Sequence, residues 1–309
     1  MYMSKPFDLL VAGEINPDLI LSGDVQPEFG QVEKLIDRAD MTIGSSSVIM
    51  ACGSARLGLQ VAFSGLCGDD VFGRFMMDAM QQRAVDTSSV IVRKDAATGI
   101  SVILNRRSDR AILTFPGLIP ELRAEQISDA LLQQARHLHI ASYFLQTQLQ
   151  TGIVDLFKRA HQFGMTISLD TNWDPSGKWQ DFYELLKLVD VFLPNENEAL
   201  ALTRTSSAED ALAVLSQSCA VVAIKQGADG ALACQNGEIA RTQALHMDIV
   251  DTVGAGDTFD SGFLYGYLQQ WPLQKMVQAA AISGSLSTRA AGGTQSQPTL
   301  EEVMQYVDG

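Results

Sequence analysis

Short runs of apolar and β-branched residues recur along the chain: DLLVAG (8–13), VAFSG (61–65), HLHIA (137–141), MTISLD (165–170), VDVFLP (189–194) and AVVAIK (220–225). Between them lie stretches such as DALLQQARHL (129–138) and TGIVDLFKRAHQFG (151–164), whose apolar residues return every three or four positions. That spacing marks one face of a helix. Strands that are apolar nearly throughout must be covered on both faces. The alternation therefore predicts an α/β fold, a doubly wound and mostly parallel sheet with helices on both faces.

Two regions break this rhythm, Leu19 to Gly44 and Gly99 to Pro116. There DLILSGDV (18–25), ADMTIG (39–44), GISVILN (99–105) and RAILTF (110–115) read as strands joined by turn residues with no helix between them. They predict a small separate sheet projecting from the main body, inserted at about 17–43 and 99–116. With no internal repeat or long linker, the expectation is a single domain over 1–309.

The net charge of −14 disfavours a general nucleic-acid or anionic-membrane binder, since those surfaces are held by excess Lys and Arg. It leaves room for a phosphorylated ligand, which backbone amides at a helix start can hold. Cys52, Cys67, Cys219 and Cys234 stand far apart beside small or apolar residues and read as buried free thiols in a reducing compartment. The first apolar run is too short for a signal segment, so the expected location is cytoplasmic.

Ligands of open parallel sheets bind beyond the carboxyl ends of the strands. The residues just after each predicted strand are polar: Asn16 and Asp18, Asp69 and Asp70, Ser142 and Tyr143, Asp170 and Asn172, Asn195, Glu196 and Glu198, Lys225 and Gly227. Each alone reads as a cap or a turn; their convergence points to a site. The last such stretch is DTVGAGDTFDSGFL (251–264). Phe259, Phe263 and Tyr267 form one stripe of a buried helix, and Gly262 and Gly266 form another that admits a close neighbour. The first turn is then Gly254-Ala255-Gly256-Asp257, where free N–H groups and the helix dipole make an anion site. Asp257 has two readings there, a cap or a general base beside a phosphate. Local spacing does not decide between them. Phe259 stands where Gly-x-Gly-x-x-Gly needs its third glycine, and no Gly-x-x-x-x-Gly-Lys-Ser/Thr exists, so a dehydrogenase and a P-loop NTPase lose support.

DTVGAGDTFDSGFL resembles the C-terminal signature of the ribokinase-like, or PfkB-type, carbohydrate kinases. GEINPDLIL, ARLGLQVAFSGLCGDDVFG, LPNENEA, IKQGADGA and GGTQSQPTLEEV resemble further segments in the family's order, so the likeness covers nearly the entire chain. It implies an ATP-dependent kinase with Asp257 as base and Gly254, Ala255 and Gly256 as the anion hole for the γ-phosphate. Asn195 and Glu198 would organise Mg2+ and phosphate through water. Lys225, Gly227 and Gly230 would lie along the nucleotide, against a plain hairpin as the alternative. Asp251 matches the monovalent-cation loop, with carbonyls near Val253 and from Ser287 to Ser296 as partners; the need for K+ stays open. Asn16 and Asp18 match residues that grip sugar hydroxyls, and the projecting strands match a lid that also pairs two subunits, implying a homodimer.

The pattern departs from the family at the acceptor. Ile49 stands where a sugar-contacting asparagine would be, Gly44-Ser45 replaces Gly-Gly, and the hydroxyls of Ser45, Ser46 and Ser47 either serve the sugar or cap the next helix. Tyr143 either meets substrate or packs under the lid. His137 and His139 read as core residues. DTNWDP resembles the Asp-x-Asn-x-Arg turn of fructokinase and ketodeoxygluconate kinase members but has Asp174 for the arginine, which disfavours an acidic sugar, so the expected acceptor is a small neutral sugar, fructose- or ribose-like. A nucleoside kinase of the same fold and a noncatalytic sugar or nucleotide sensor are the alternatives.

Overall fold

The computed structural model describes residues 5–106, 109–179 and 182–307. Strand β1 (Phe7–Ala12) is followed by β2 (Pro17–Ser22) and β3 (Arg38–Ile43), then α1 (Ser46–Arg56), β4 (Val61–Ser64), β5 (Leu66–Gly68) and α2 (Val71–Gln81). Next come β6 (Val85–Asp86), β7 (Ile91–Arg93), β8 (Ile100–Arg106) and β9 (Asp109–Phe115). After α3 (Asp129–Leu132) the chain alternates β10 (Ala135–Ile140), α4 (Thr147–Gln162), β11 (Thr166–Leu169), α5 (Phe182–Leu186), β12 (Val191–Phe192), α6 (Glu196–Thr203), α7 (Ala208–Leu215) and β13 (Val221–Lys225). It ends with β14 (Ala231–Gln235), β15 (Glu238–Thr242), α8 (Ala255–Leu268), α9 (Leu273–Ser287) and α10 (Leu300–Val307).

The main sheet runs β15-β14-β13-β12-β11-β10-β1-β4-β6. It is parallel from β6 through β13, and the edge strands β14 and β15 are antiparallel. Side chains alternate across it, so Leu10 and Ala12 enter a core beneath α3 to α7 while Leu9 and Val11 enter one beneath α1, α2, α8 and α9. Each core is dry and close-packed, which fixes where the strand ends stand. The chain moves outward from β1 to β4 and then crosses to β10 on the other side of β1. A crevice opens where the winding reverses, and the loops after β1 and β10 border it.

The small sheet has the order β3-β2-β8-β9 and consists of two antiparallel hairpins joined by a parallel β2–β8 pair. One expectation needs correcting. The helical pattern over 129–138 gives a helix only at Asp129–Leu132, and Ala135 already begins β10. Parallel pairing with both β1 and β11 decides the conformation there, as tertiary context overrides local preference. The four cysteines are buried and free. Among the described residues no helix is long and apolar enough to cross a membrane.

Candidate active site

Helix α8 starts at the crevice. Gly254 is its N-cap residue, with φ of 72°, and has no side chain to cap with. A Cβ there would come within 2.8 Å of Gly293 Cα and 2.9 Å of Ile49 Cγ2, so both the left-handed backbone and the contact require glycine. Asp257 is the third residue of the helix, inside the first turn, where amides have no intrahelical acceptor. Behind this turn, a Cβ on Gly262 would meet Ser283 Oγ at 2.6 Å, which shows how closely α9 packs. The Asp257 carboxyl is buried. Desolvation, then the charges of Asp170 and Glu14, push its pKa up to about 7 against the opposing effects of Lys225 and the Ser46 hydroxyl.

Beneath the turn lies a buried charge cluster. The Lys225 ammonium donates to Asp170 Oδ2 at 2.7 Å and to Asp260 Oδ1 and Oδ2 at 3.0 and 3.1 Å. Its side chain is only 11% exposed. Against strong desolvation, the charge of Lys225 holds Asp170 below the ordinary carboxylate range, helped by a hydrogen bond from Asp260. Asp260 moves the opposite way, raised by burial and by Asp170. Burial and the Asp170 charge therefore favour the protonated form of Asp260 beside an ionised Asp170, both in contact with the Lys225 ammonium. Lys225 thus backs the start of α8, with its Nζ 3.8 Å from where a Gly256 Cβ would be.

Asn195 caps α6. Its side chain accepts from Glu198 N at 3.0 Å, while Glu198 Oε2 accepts from Asn195 N at 2.9 Å and Oε1 accepts from Asn195 Nδ2 at 2.6 Å. This reciprocal capping box is what the Asn-x-x-Glu spacing builds. Burial, followed by Asp170, raises the Glu198 pKa to about 7, and Asp257 adds to the shift. The backbone joins this motif to the next, since Lys225 N donates to Pro194 O at 3.0 Å. Gly227 and Gly230 form a single-turn 3-10 hairpin between β13 and β14, with φ of 59° and 95°. The hairpin stands beside α6, where Gln226 Nε2 donates to Glu196 Oε1 at 3.2 Å.

On the other side of Asp257, four residues expected at the acceptor come together. Asn16, Asp18 and Ser45 are buried, and a Cβ on Gly44 would collide with the Asp18 carboxylate and lie 2.8 Å from Asn16 Nδ2. Two of the three serine hydroxyls are engaged within the protein. Ser45 caps α1 through Val48 N at 3.1 Å and donates to Glu14 O at 2.7 Å, and Ser47 donates to Glu14 Oε2. Ser46 accepts from Asn172 Nδ2 at 2.8 Å and bonds Asp257. Ile49 is buried and wedges between Gly254 and Gly293. Ser45, Ser142 and Asn172 hold φ of 61°, 51° and 51°; for Ser142, in the left-handed helical region, this costs roughly 1–2 kcal/mol.

Several neighbours take structural roles. Tyr143 packs edge-on against Phe144 and Phe182, with ring centroids 5.2 and 5.6 Å apart. Asp174 organises its own turn, accepting from Ser176 N, Lys178 N and Trp179 N. His137 bonds Thr166 and Ser168, His139 bonds Ser168 through Nδ1, and desolvation of these buried rings lowers their pKa values to about 3 and about 4.

Asp251 lies farther out and ties two loops. Its Oδ1 accepts from Val253 N at 3.1 Å and its Oδ2 from Gly292 N at 2.9 Å, while Thr288 O receives Val250 N and Asp251 N. The Ser287 carbonyl accepts from Ser296 Oγ at 2.6 Å, and the Ser296 carbonyl accepts from Arg289. A cavity of about 130 Å³ separates this loop from Ile20, Arg38 and Thr42 of the small sheet. A larger one, about 440 Å³, opens elsewhere between Lys5, Arg136, Tyr267 and Trp271 and contains none of these groups. Convergent polar chemistry locates the site better than volume does.

Two central residues escaped the sequence reading, Glu14 and Asp260. Each carried a signal: Glu14 is an acid directly behind an apolar strand, and Asp260 is an acid one turn from Asp257 on an otherwise apolar helix face.

Residues 8–300 match the model of the pfkB family carbohydrate kinases. The chain is 27% identical over 321 residues to a 5-dehydro-2-deoxygluconokinase of Geobacillus thermodenitrificans, an alignment covering 98% of this chain and 94% of the relative. It is 28% identical to a ribokinase of Haemophilus influenzae, covering 97% and 98%. Its fold is similar to that of a provisionally assigned ribokinase II from E. coli in complex with ATP and Mg2+, with a TM-score of 0.86, 21% identity, and 98% and 99% of the two chains covered. With the family signature spread over both walls of the crevice and matched along almost its full length, this chain belongs to the PfkB family of carbohydrate kinases.

Proposed function

We propose that this kinase transfers the γ-phosphate of ATP to a hydroxyl of a small neutral sugar, fructose- or ribose-like, with Asp257 as general base. The observation that carries the reading is the Asp257 carboxyl itself, buried in the first turn of α8 with its pKa pushed up to about 7. A carboxylate of that basicity is matched to proton abstraction near neutral pH. The acceptor hydroxyl gives its proton to Asp257, its oxygen bonds the γ-phosphorus, and the bond to the β-phosphate oxygen breaks to release ADP. The amides of Gly254, Ala255 and Gly256 stabilise charge on the phosphoryl group in flight.

Asn195 and Glu198 suit Mg2+ as hard oxygen donors. An ion there would be held chiefly by phosphate and water. When bound, it neutralises phosphate charge. The hairpin at Gly227 and Gly230 lies along the nucleotide, with Lys225 supporting α8 from below. Asp251 is where a monovalent cation such as K+ would act.

Asn16 and Asp18 grip the sugar against Gly44, and the small sheet closes as a lid that excludes water. A neutral acceptor fits a pocket bordered by the acids Glu14, Asp170 and Asp257, where the Lys225 ammonium is already held by Asp170 and Asp260. Exposed Phe29, Ile112, Leu113 and Phe115 on the lid support pairing of two chains there. One observation favours a second reading, a nucleoside acceptor: Trp173, next to Asn172, is exposed and stacked edge-on against Trp179 at 5.1 Å, offering a face to a base.

The test is ADP release with Mg·ATP over fructose, ribose, gluconate and adenosine. Turnover with fructose or ribose is expected. Turnover with gluconate alone would overturn the neutral-sugar assignment, and turnover with adenosine alone would establish the second reading.

A further inference from the structure

At the carboxyl ends of β3, β10 and β11, the three left-handed residues Ser45, Ser142 and Asn172 share one hydrogen-bonded set. Glu14, just past β1, stands at its centre. The Glu14 Oε1 atom accepts from Ser142 Oγ at 2.9 Å, from Ser45 Oγ at 3.1 Å and from Ser47 N at 3.2 Å. Asn172 Nδ2 then donates both to Ser142 Oγ at 2.7 Å and to Ser46 Oγ at 2.8 Å. The set crosses the point where the sheet winding reverses and ends at the Ser46 hydroxyl beside Asp257. Neither Glu14, 3% exposed, nor Ser142, 2% exposed, faces solvent.

We infer that Glu14, acting through Ser142 and Asn172, is the positioning residue of the acceptor pocket, holding Gly44 against Asn16 and Asp18 and holding Ser46 at Asp257. This rests on the acceptor pocket proposed above. The physical basis is that L side chains are disfavoured in left-handed backbone, so three adjoining loops keep it only where the surroundings over-determine them. Here a single buried carboxylate supplies the acceptors. Without it the loops relax toward ordinary backbone, Gly44 leaves Asp18, and the sugar loses its fitted wall. The nucleotide side, built on α6, β13 and the start of α8, meets this set at its margin, where Ser46 bonds Asp257 and the Asn172 backbone N–H donates to Asp170 Oδ1 at 2.9 Å.

The decisive variant is Asn172→Gly, which removes the bridging amide while glycine tolerates the φ of 51° without penalty. The expected result is a melting temperature close to wild type, since only two side-chain hydrogen bonds are lost, an acceptor KM raised about tenfold, a lower kcat, and an ATP KM within twofold of wild type. Glu14→Gln, which turns one acceptor into a donor facing hydroxyl donors, should shift the acceptor KM the same way, and Asn172→Gly carries the test alone if that protein does not fold. An unchanged acceptor KM in Asn172→Gly overturns the inference. So does a parallel rise in both KM values with a fall in melting temperature, which would mark general structural damage. Absence of sugar turnover by the wild-type protein would instead remove the functional reading beneath it.

Discussion

Replacing Lys225 by methionine takes away the one cation among the buried acids while leaving a side chain of similar volume. In the native protein the Lys225 charge favours the ionised form of Asp170, and burial beside Asp170 favours the protonated form of Asp260. The variant strands the Asp170 charge in a site 3% exposed at its side chain. Breaking a buried ion pair by removing one partner costs about 3–5 kcal/mol. Unfolding entropy of roughly 2.1 cal/mol/K per residue gives about 0.65 kcal/mol/K for a chain of 309 residues. The melting temperature should therefore fall by about 5–8 °C. Asp260→Asn supplies a neutral group able to donate as the protonated acid does, and should cost about 1 kcal/mol or less, under about 2 °C. Calorimetry on both variants at pH 7 measures the contrast. If Asp260→Asn destabilises as much as Lys225→Met, the assignment of the proton to Asp260 is wrong.

Burial raises Asp257 from 3.8 to about 7 and Glu198 from 4.5 to about 7. Acceptor kcat/KM should thus fall tenfold per unit below about pH 7 and level off above it, and a flat profile between pH 5 and 8 would refute a base of that basicity. In the absence of ligands the sign for stability is opposite. Both acids keep protons in the fold that the unfolded chain releases near pH 4, so their contribution is complete at low pH and is lost as pH rises through 7; melting temperature should decline from pH 5 to 8. Gly254→Ala forces a Cβ within 2.8 Å of Gly293 Cα at φ of 72°. The helix start must shift, lowering kcat about a hundredfold, as steady-state assays would register.

The two sheets were legible because the fully apolar strands of the main sheet and the turn-linked strands of the small one leave different sequence patterns, and polar residues mark the strand ends. Periodicity failed at Ala135–Leu138, where pairing with two neighbouring strands outweighs an amphipathic repeat. Asn16, Asp18, Gly44 and Ser45 were identifiable as a group, yet the engagement of Ser45 with Glu14 was not, because a buried acid's partners come from loops more than thirty positions away. Lys225 was legible as a site residue but not in orientation. Only the fold reveals that its amine meets Asp170 and Asp260 beneath α8. The capping box at Asn195 and Glu198 was local and could be read from spacing alone.

The most direct measurement of the central claim compares Asp257→Asn with the native enzyme in single-turnover phosphoryl transfer from Mg·ATP to the best neutral sugar. With Asp257 as the base, the rate falls by about two to four orders of magnitude, while affinity for nucleotide and sugar stays within about threefold. Transfer by the variant at the native rate would show that this carboxylate only stabilises the helix start and that the proton goes elsewhere.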